Sequence, residues 1–324
     1  MMRQVIVALL PAIAVATFLF GFGTLIHLAI AVPIAVLCET LALRRRKIDP
    51  QPFLRDGSVL VLAFLLALAI PPYAPWWVTV VGVAFATLIG KHAFGGLGHN
   101  IFNPAMVGYI FLLLCFPLTL SRWPELAKLN DYPGLFDSLR LIFGGSVAAV
   151  DGISGATALD HVKTQIALMR MHSEMQAEEV FGIVGARGWE WVNFAFLLGG
   201  GWLLARGVVG WRLPVSFAVG LGVSAMLGAI GDPELHRGVL FHLFTGGAML
   251  AAFFVVTDPV SSATTPRGML VFGFGIGLLT YLIREFGSYP DGIAFAVVIM
   301  NSLAPLIDRV TQPRLYGNTS NKDL

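Results

Sequence analysis

Charge is what this sequence has least of. Only 12% of its 324 residues are Asp, Glu, Lys or Arg, about half of the roughly 25% found in soluble domains. No soluble fold of this length hides a chain that is 56% hydrophobic, and the mean hydropathy of +0.78 accompanies apolar runs long enough to cross a bilayer. The net charge of +2 leaves no basic tract for gripping nucleic acid. Cysteine is nearly absent, with Cys38 and Cys115 alone, too few thiolates to hold an iron–sulfur cluster. Either the two meet in a disulfide or, as their place inside apolar runs favours, they are buried thiols filling space. Nucleotide loops are missing too. There is no GxGxxG after a strand and no Walker loop, and Gly21-Phe22-Gly23 reads as a joint between two helices. A cytosolic enzyme, a DNA-binding protein and a secreted disulfide scaffold are excluded.

What is there is an all-α polytopic membrane protein of about ten transmembrane helices. Measured against the ~20 apolar residues a span needs, the stretches 4–20, 24–43, 57–71, 75–91, 102–119, 190–206, 212–230, 238–257, 268–284 and 289–307 read as spans. Arg3 before the first run resembles a signal peptide, but the second run follows so closely that an uncleaved hairpin is the better reading. The positive-inside rule puts Arg44, Arg45, Arg46 and Lys47 in the cytoplasm, with Lys91, Arg206, Arg212, Arg267, Arg309 and Arg314. Both termini are then cytoplasmic and the long loop 120–189 lies outside. The expected organisation is a first half over 1–119, the extracytoplasmic loop 120–189, a second half over 190–310 and a tail over 311–324.

An odd number of spans in each half makes any internal repeat an inverted one, an arrangement many transporters use. Residues 71–106 and 259–305 echo each other: proline, an apolar span, Phe94-Gly95 or Phe286-Gly287, then Asn103-Pro104 or Asn301 with Pro305.

The external loop carries Asp151-Gly152-Ile153-Ser154-Gly155-Ala156-Thr157. Leu159, Val162, Ile166 and Met169 then repeat at helical spacing, so a Gly-bearing turn leads into an amphipathic helix running to about Glu178. Thr157 stands at the N-cap position, with Asp160 three residues on for a capping-box-like contact. Glycines allow close backbone approach, and a helix N-terminus offers N–H groups to a phosphate. Local chemistry leaves two readings open. One is a plain capped turn in which Ser154 and Thr157 satisfy backbone donors; the other is a hydroxyl presented as a covalent anchor.

The heptad resembles the attachment signal read by bacterial flavin transferases, which move FMN from FAD onto the final Thr or Ser as a phosphoester. Gly98-His99-Asn100-Ile101-Phe102-Asn103-Pro104-Ala105-Met106, the run Thr257 to Pro266, and Tyr289-Pro290-Asp291-Gly292 through Asn301 extend the likeness. From the first hairpin to about residue 314, the chain resembles a family of redox-pump membrane proteins. That family includes the D component of the Rnf-type ion-translocating electron transport complex and the B component of the sodium-translocating NADH:quinone reductase. The resemblance implies FMN on Thr157 through its phosphate, with Gly152, Ser154, Gly155 and Ala156 shaping the turn shown to the transferase. Asp151 serves that recognition or its metal-assisted chemistry. It also implies electron transport coupled to Na⁺ or H⁺ movement in a bacterial inner membrane. Partners carrying flavin and Fe–S groups are implied as well, along with a second, non-covalent flavin (riboflavin) as found in the sodium-pumping relatives. The rival reading is a flavin-free channel or carrier for a small solute, whose broken helices such a chain fits equally well. A solute channel has no reason to carry the heptad.

Intramembrane polar groups invite a functional reading, since a charge at the bilayer centre costs ~2.5–3.5 kcal/mol on insertion scales. Glu39, near the cytoplasmic end of its span, either pairs or snorkels with Arg44 or stands on an ion path. Asp258, before Pro259 and a run of hydroxyls, is the foremost ion-path or cofactor-contact candidate. Asn103 and Asn301 either cap half-helices or line a shared central site. His27 and His242 read as packed, hydrogen-bonded side chains and not as ligands.

Overall fold

The computed structural model describes residues 1–124, 133–144, 153–175, 178–289 and 291–312. Asp151 and Gly152 of the heptad and the tail beyond residue 312 lie outside the described residues. The first half runs through α1 (Met2–Phe20), α2 (Gly23–Arg45), α3 (Pro50–Asp56), α4 (Ser58–Ala69), α5 (Trp76–Phe85, continued by a π-helical stretch Ala86–His92), α6 (Pro104–Cys115) and α7 (Pro117–Ser121). A short strand β1 (Trp123–Pro124), α8 (Leu135–Gly144), β2 (Ser154–Gly155), α9 (Ala158–Ala167) and α10 (His172–Met175) follow. The second half contains α11 (Trp189–Ala205), α12 (Arg212–Gly231), α13 (Val239–Phe244), α14 (Ala248–Leu250, continued by π-helical Ala251–Val255), α15 (Pro266–Phe286) and α16 (Ile293–Thr311).

Each apolar stretch read from the sequence contains helix, with 238–257 broken at 245–247. Among the described residues, five helices (α1, α2, α12, α15 and α16) are long and apolar enough to cross a membrane. The α3–α4 pair makes a sixth if counted together, bent by 52° at its break. This is a helical, multi-pass membrane protein.

Local chemistry explains where the helices begin. Asp49, Asn103 and Thr265 each accept a hydrogen bond from the first turn, and each is followed by proline at the first helical position. That position needs no N–H, and its φ matches proline's ring. Gly57 (φ 80°) breaks α3 from α4, and Gly246 (φ 63°) breaks α13 from α14. Both take the left-handed conformation that residues with a Cβ avoid.

Two expectations are corrected, one about a side chain and one about a helix end. Cys38 is buried as expected, but Cys115 is exposed, at the end of α6 where the helix face turns outward. The helix after Thr157 stops at Ala167 and does not reach Glu178, because Met169 turns left-handed (φ 61°) and Arg170 N–H bonds back to the Gln165 carbonyl.

In lipid, helices associate by close packing and not by hydrophobic burial, so small residues line their contacts. Between α12 and α15 these are Ser216, Gly220, Gly273 and Gly277. A Cβ at Gly277 would lie 2.3 Å from the Phe217 carbonyl oxygen and 2.5 Å from Leu221 N, both backbone atoms. A Cβ at Gly201 of α11 meets nothing within 4 Å. Gly277→Ala is therefore expected to lower thermal stability in detergent by about 1–3 kcal/mol, the scale of overpacking. Gly201→Ala holds or raises stability, because alanine favours helix over glycine by ~1 kcal/mol.

Candidate functional site

Ser154–Gly155 pairs antiparallel with Trp123–Pro124, Gly155 opposite Trp123 and Ser154 opposite Pro124. The sequence predicts a plain turn here. The structure instead makes the middle of the heptad a short strand, and its partner lies near the start of the same loop. Ser154 is buried and Ala156 exposed. Half-buried Thr157 takes the N-cap of α9, where its Oγ1 accepts the Asp160 N–H at 3.2 Å.

Thr157 stands in the wall of a cavity enclosing about 1080 Å³ of empty space, its open mouth included. Pockets of that order hold small molecules and cofactors. The lining is largely apolar, with five aromatics: Phe20, Tyr109, Trp123, Trp189 and Phe196. Trp189 sits edge-on to Trp123 (centroids 4.8 Å apart, planes at 72°) and 5.2 Å from Phe20. Such a group offers both faces and edges to a planar ring. The polar edge of the cavity is Thr157, Thr245 and Asp291.

α9 is tied down by Lys163. Its Nζ donates to the carbonyls of Gly287 (3.0 Å), Ile283 (3.4 Å) and Tyr289, all at the C-terminal end of α15. An ammonium there satisfies carbonyls that the helix leaves open and complements its dipole. Burial pulls the Lys163 ammonium below its usual pKa, with Asp160 and Asp291 opposing that pull. Burial also pushes the Asp160 carboxyl up, against Lys163 and the Thr157 hydroxyl. Beneath them, Arg284 (1% exposed) makes a two-pronged contact with Asp291, 3.1 Å on each side, and donates to the carbonyls of His242 (2.6 Å) and Thr245 (3.1 Å). Asp291 in turn accepts the Gly247 N–H at 3.1 Å.

Asn193 closes the same break from the other side. It is fully buried; its Nδ2 donates to Gly246 O (2.8 Å) and Phe244 O (3.3 Å), and its Oδ1 accepts the Met249 N–H at 3.0 Å. Asn193, Lys163, Arg284 and Asp291 are site residues that the sequence does not single out. The available signal is a buried-looking Asn and Arg inside apolar runs, the same signal that points to Asn103 and Glu39.

A second cavity, about 830 Å³ with its mouth, opens at the opposite end of the bundle. Met2 and Val5 of α1 line it, whereas Ala16 and Phe20 of the same helix line the first. Asp258 faces it, its carboxylate accepting Ser261 Oγ–H (2.8 Å) and Val260 N–H (3.2 Å). Asn103 faces it too, and it meets Asn301 as well as capping α6. Asn301 Oδ1 accepts the Asn103 N–H at 3.0 Å and Asn301 Nδ2 donates to Ser261 O at 2.9 Å, while Asn103 Nδ2 reaches Val255 O at 3.4 Å. Capping and a shared centre are thus the same arrangement. Glu39 corrects its expectation: its partners are Lys91 and His92, each at 2.8 Å, and Arg44 is not among them. His27 is packed and bonded to Thr79 at 2.7 Å.

The chain matches the NQR2, RnfD, RnfE family over residues 1–317. A Pseudomonas aeruginosa protein, named as the D component of an ion-translocating oxidoreductase complex, is 50% identical over 98% of this chain and 91% of its own length. Proteins of the same name from Cronobacter sakazakii and Vibrio cholerae are each 45% identical over 98% of this chain and 94% of their own.

The Lys163 tether makes a measurable claim. Lys163→Met removes charged hydrogen bonds worth about 1.5 kcal/mol, so amide exchange of residues 158–167 and of the last turn of α15 quickens roughly tenfold, while α12 is unaffected. Unchanged protection in α9 shows that Lys163 does not hold it.

Proposed function

Because the chain belongs to the NQR2, RnfD, RnfE family, we propose that it is the membrane subunit of an ion-translocating oxidoreductase complex that carries electrons on FMN esterified to Thr157. The coarse role follows from full-length relatives bearing that name: a translocase subunit in a multi-pass helical membrane protein, not catalytically complete alone. The finer assignments are ours. They comprise ten spans in two inverted halves, cytoplasmic termini, and an external segment 120–189 in a bacterial inner membrane. They also include partner subunits bearing flavin and Fe–S groups, and a flavin transferase during maturation.

One observation supports the flavin reading above the rest: the heptad's acceptor hydroxyl stands at once on a helix N-cap and in the wall of an aromatic cavity. The N-cap place of Thr157 would set a phosphate on its Oγ1 near the start of α9, where backbone donors and helix dipole both favour an anion. The cavity lined by Phe20, Trp123, Trp189 and Tyr109 has the size and lining for an isoalloxazine. Bound there, the flavin supplies one- and two-electron chemistry, and the protein supplies position and environment. Thr157 prevents loss of the group, β2 and Lys163 fix the anchor, and Asp291 offers a carboxylate at the polar edge, held by Arg284. A second, non-covalent flavin such as riboflavin belongs to the same reading. The energy scale allows coupling. Moving one charge against about 150 mV costs ~3.5 kcal/mol, which a two-electron drop of ~75 mV supplies.

The test is mass spectrometry of the protein from a host with the flavin transferase. The Thr157 peptide is expected heavier by FMN minus water, with in-gel fluorescence lost in Thr157→Ala. A bare Thr157 sinks the flavin assignment and leaves the small-solute channel or carrier as the reading to pursue.

A further inference from the structure

We propose that His92, Glu39 and Lys91 form a proton relay that leads from the face bearing Arg44 to Lys47 into the second cavity and delivers protons to Asp258. This deepens the ion-translocating role proposed above by giving one of its ions, the proton, a place in this chain.

Glu39 is 0% exposed and Lys91 3% exposed. Lys91 Nζ donates to Glu39 Oε1 (2.8 Å) and to Ser58 Oγ (3.0 Å), and His92 Nε2 meets Glu39 Oε2 at 2.8 Å. Consecutive residues on an α-helix do not face one another, yet Lys91 and His92 reach the two oxygens of one carboxylate. They do so from the π-helical end of α5, a local winding found mostly at functional sites. Stability does not account for the cluster, since apolar residues of similar volume in place of a buried ion pair usually stabilise equally well.

The cluster ends on one side just beneath the surface, where the His92 side chain is 6% exposed, and on the other in a cavity. His92 Nδ1 is buried with no hydrogen-bond partner. It lies beneath the loop after α5, where Gly95, Gly96 and Gly98 all take positive φ. A Cβ at Gly96 would sit 3.5 Å from Nδ1 and 3.3 Å from Arg46 Nη1, so the glycine leaves the imidazole without a side chain over it. Arg46 itself is turned to the Gly95 carbonyl at 2.6 Å. At the other end, a lysine has three N–H groups, and two are taken. Lys91 lines the second cavity together with Asn100, Thr257 and Asp258. That cavity leaves about 110 Å³ free for water, against the ~10–15 Å³ one water needs.

The donor set selects the ion. Both Glu39 oxygens and Ser58 Oγ already accept N–H bonds, and an ammonium stands where a sodium ion would have to sit. Transfer balances without any electron moving. Lys91 gives a proton through cavity water to the Asp258 carboxylate, which becomes the acid, and Lys91 is left as an amine. His92 takes a proton from water at Nδ1 and passes the one on Nε2 to Glu39, which leaves the Nδ1–H tautomer; the ring swings to water, releases that proton and takes one at Nε2 to reset. Glu39 then restores the Lys91 ammonium. One proton enters at His92 for each that arrives at Asp258.

The experiment is redox-difference infrared spectroscopy and proton uptake by the intact complex in membrane vesicles, reduced with dithionite. The relay predicts a D₂O-sensitive carboxylic-acid band that is absent in Glu39→Gln. It also predicts uptake slowed by about 10²-fold, the scale lost with a positioned proton-transfer group, and partly restored in Glu39→Asp. If Glu39→Gln fails to assemble, Glu39→Gln/Lys91→Met keeps the buried site neutral and is expected to show the same loss. Wild-type uptake in whichever variant assembles, or loss of sodium uptake in place of proton uptake, overturns the relay. In-gel flavin fluorescence of the same samples separates the two proposals. A bare Thr157 with the band retained counts against the flavin alone, and a flavinylated protein without the band counts against the relay alone.

Discussion

A peptide group that leaves a helix inside lipid has no water to bond, and this structure depends on meeting that need. Each unpaired N–H or C=O in the hydrocarbon costs several kcal/mol, so irregular backbone at membrane depth survives only where protein satisfies it. Among the described residues three such irregular places stand out, and each is closed by one or two polar side chains. Asn193 and Arg284 hold the break between α13 and α14. Asn103 and Asn301 hold the junction of α6 with the segment after α14. At the α3–α4 bend the Asp56 carboxylate accepts the Ser58 N–H at 2.5 Å.

These closures create the two cavities. A helix that stops midway leaves space beyond its end, and the residues that satisfy its backbone become the polar rim of that space. At one end of the bundle the rim is Thr245, Gly246 and Asp291 with Thr157 above them; at the other it is Asn103, Lys91 and Asp258. Each rim has a nearly inaccessible cation, Arg284 behind the one and Lys91 within the other. Both cations come from the C-terminal end of a helix, the π-helical stretch after α5 and the last turn of α15. The loop then adds the one thing the bundle lacks, an anchor. β2 and Lys163 bring the Thr157 hydroxyl to the first cavity from outside the spans.

Much of this is legible in the sequence because it rests on local rules. Apolar runs locate the helices, cap-plus-proline pairs their starts, and Gly21 and Gly23 the first hairpin. Thr157 is readable as an N-cap from its neighbours alone, and Asn103 as a helix cap from the proline after it. What escapes are partners far along the chain. Proximity in sequence points Glu39 to Arg44, whereas Lys91 and His92 lie 52 and 53 residues away. Arg284 looks like one more residue at the end of a span, and only the fold shows that it faces inward to Asp291. The strand in the heptad is invisible for the same reason. Its partner Trp123–Pro124 carries no strand pattern of its own, and two residues on each side pair only because the bundle brings them together.

The central claim is that the first cavity and Thr157 are two parts of one cofactor site. The most direct measurement is an experimental structure of the intact complex, isolated from a host with the flavin transferase. The account predicts density continuous from Thr157 Oγ1 through a phosphate at the start of α9 to a planar ring among Phe20, Trp123 and Trp189. A lipid chain in that cavity beneath an unmodified Thr157, or a flavin on Thr157 turned away from the aromatics, would contradict it.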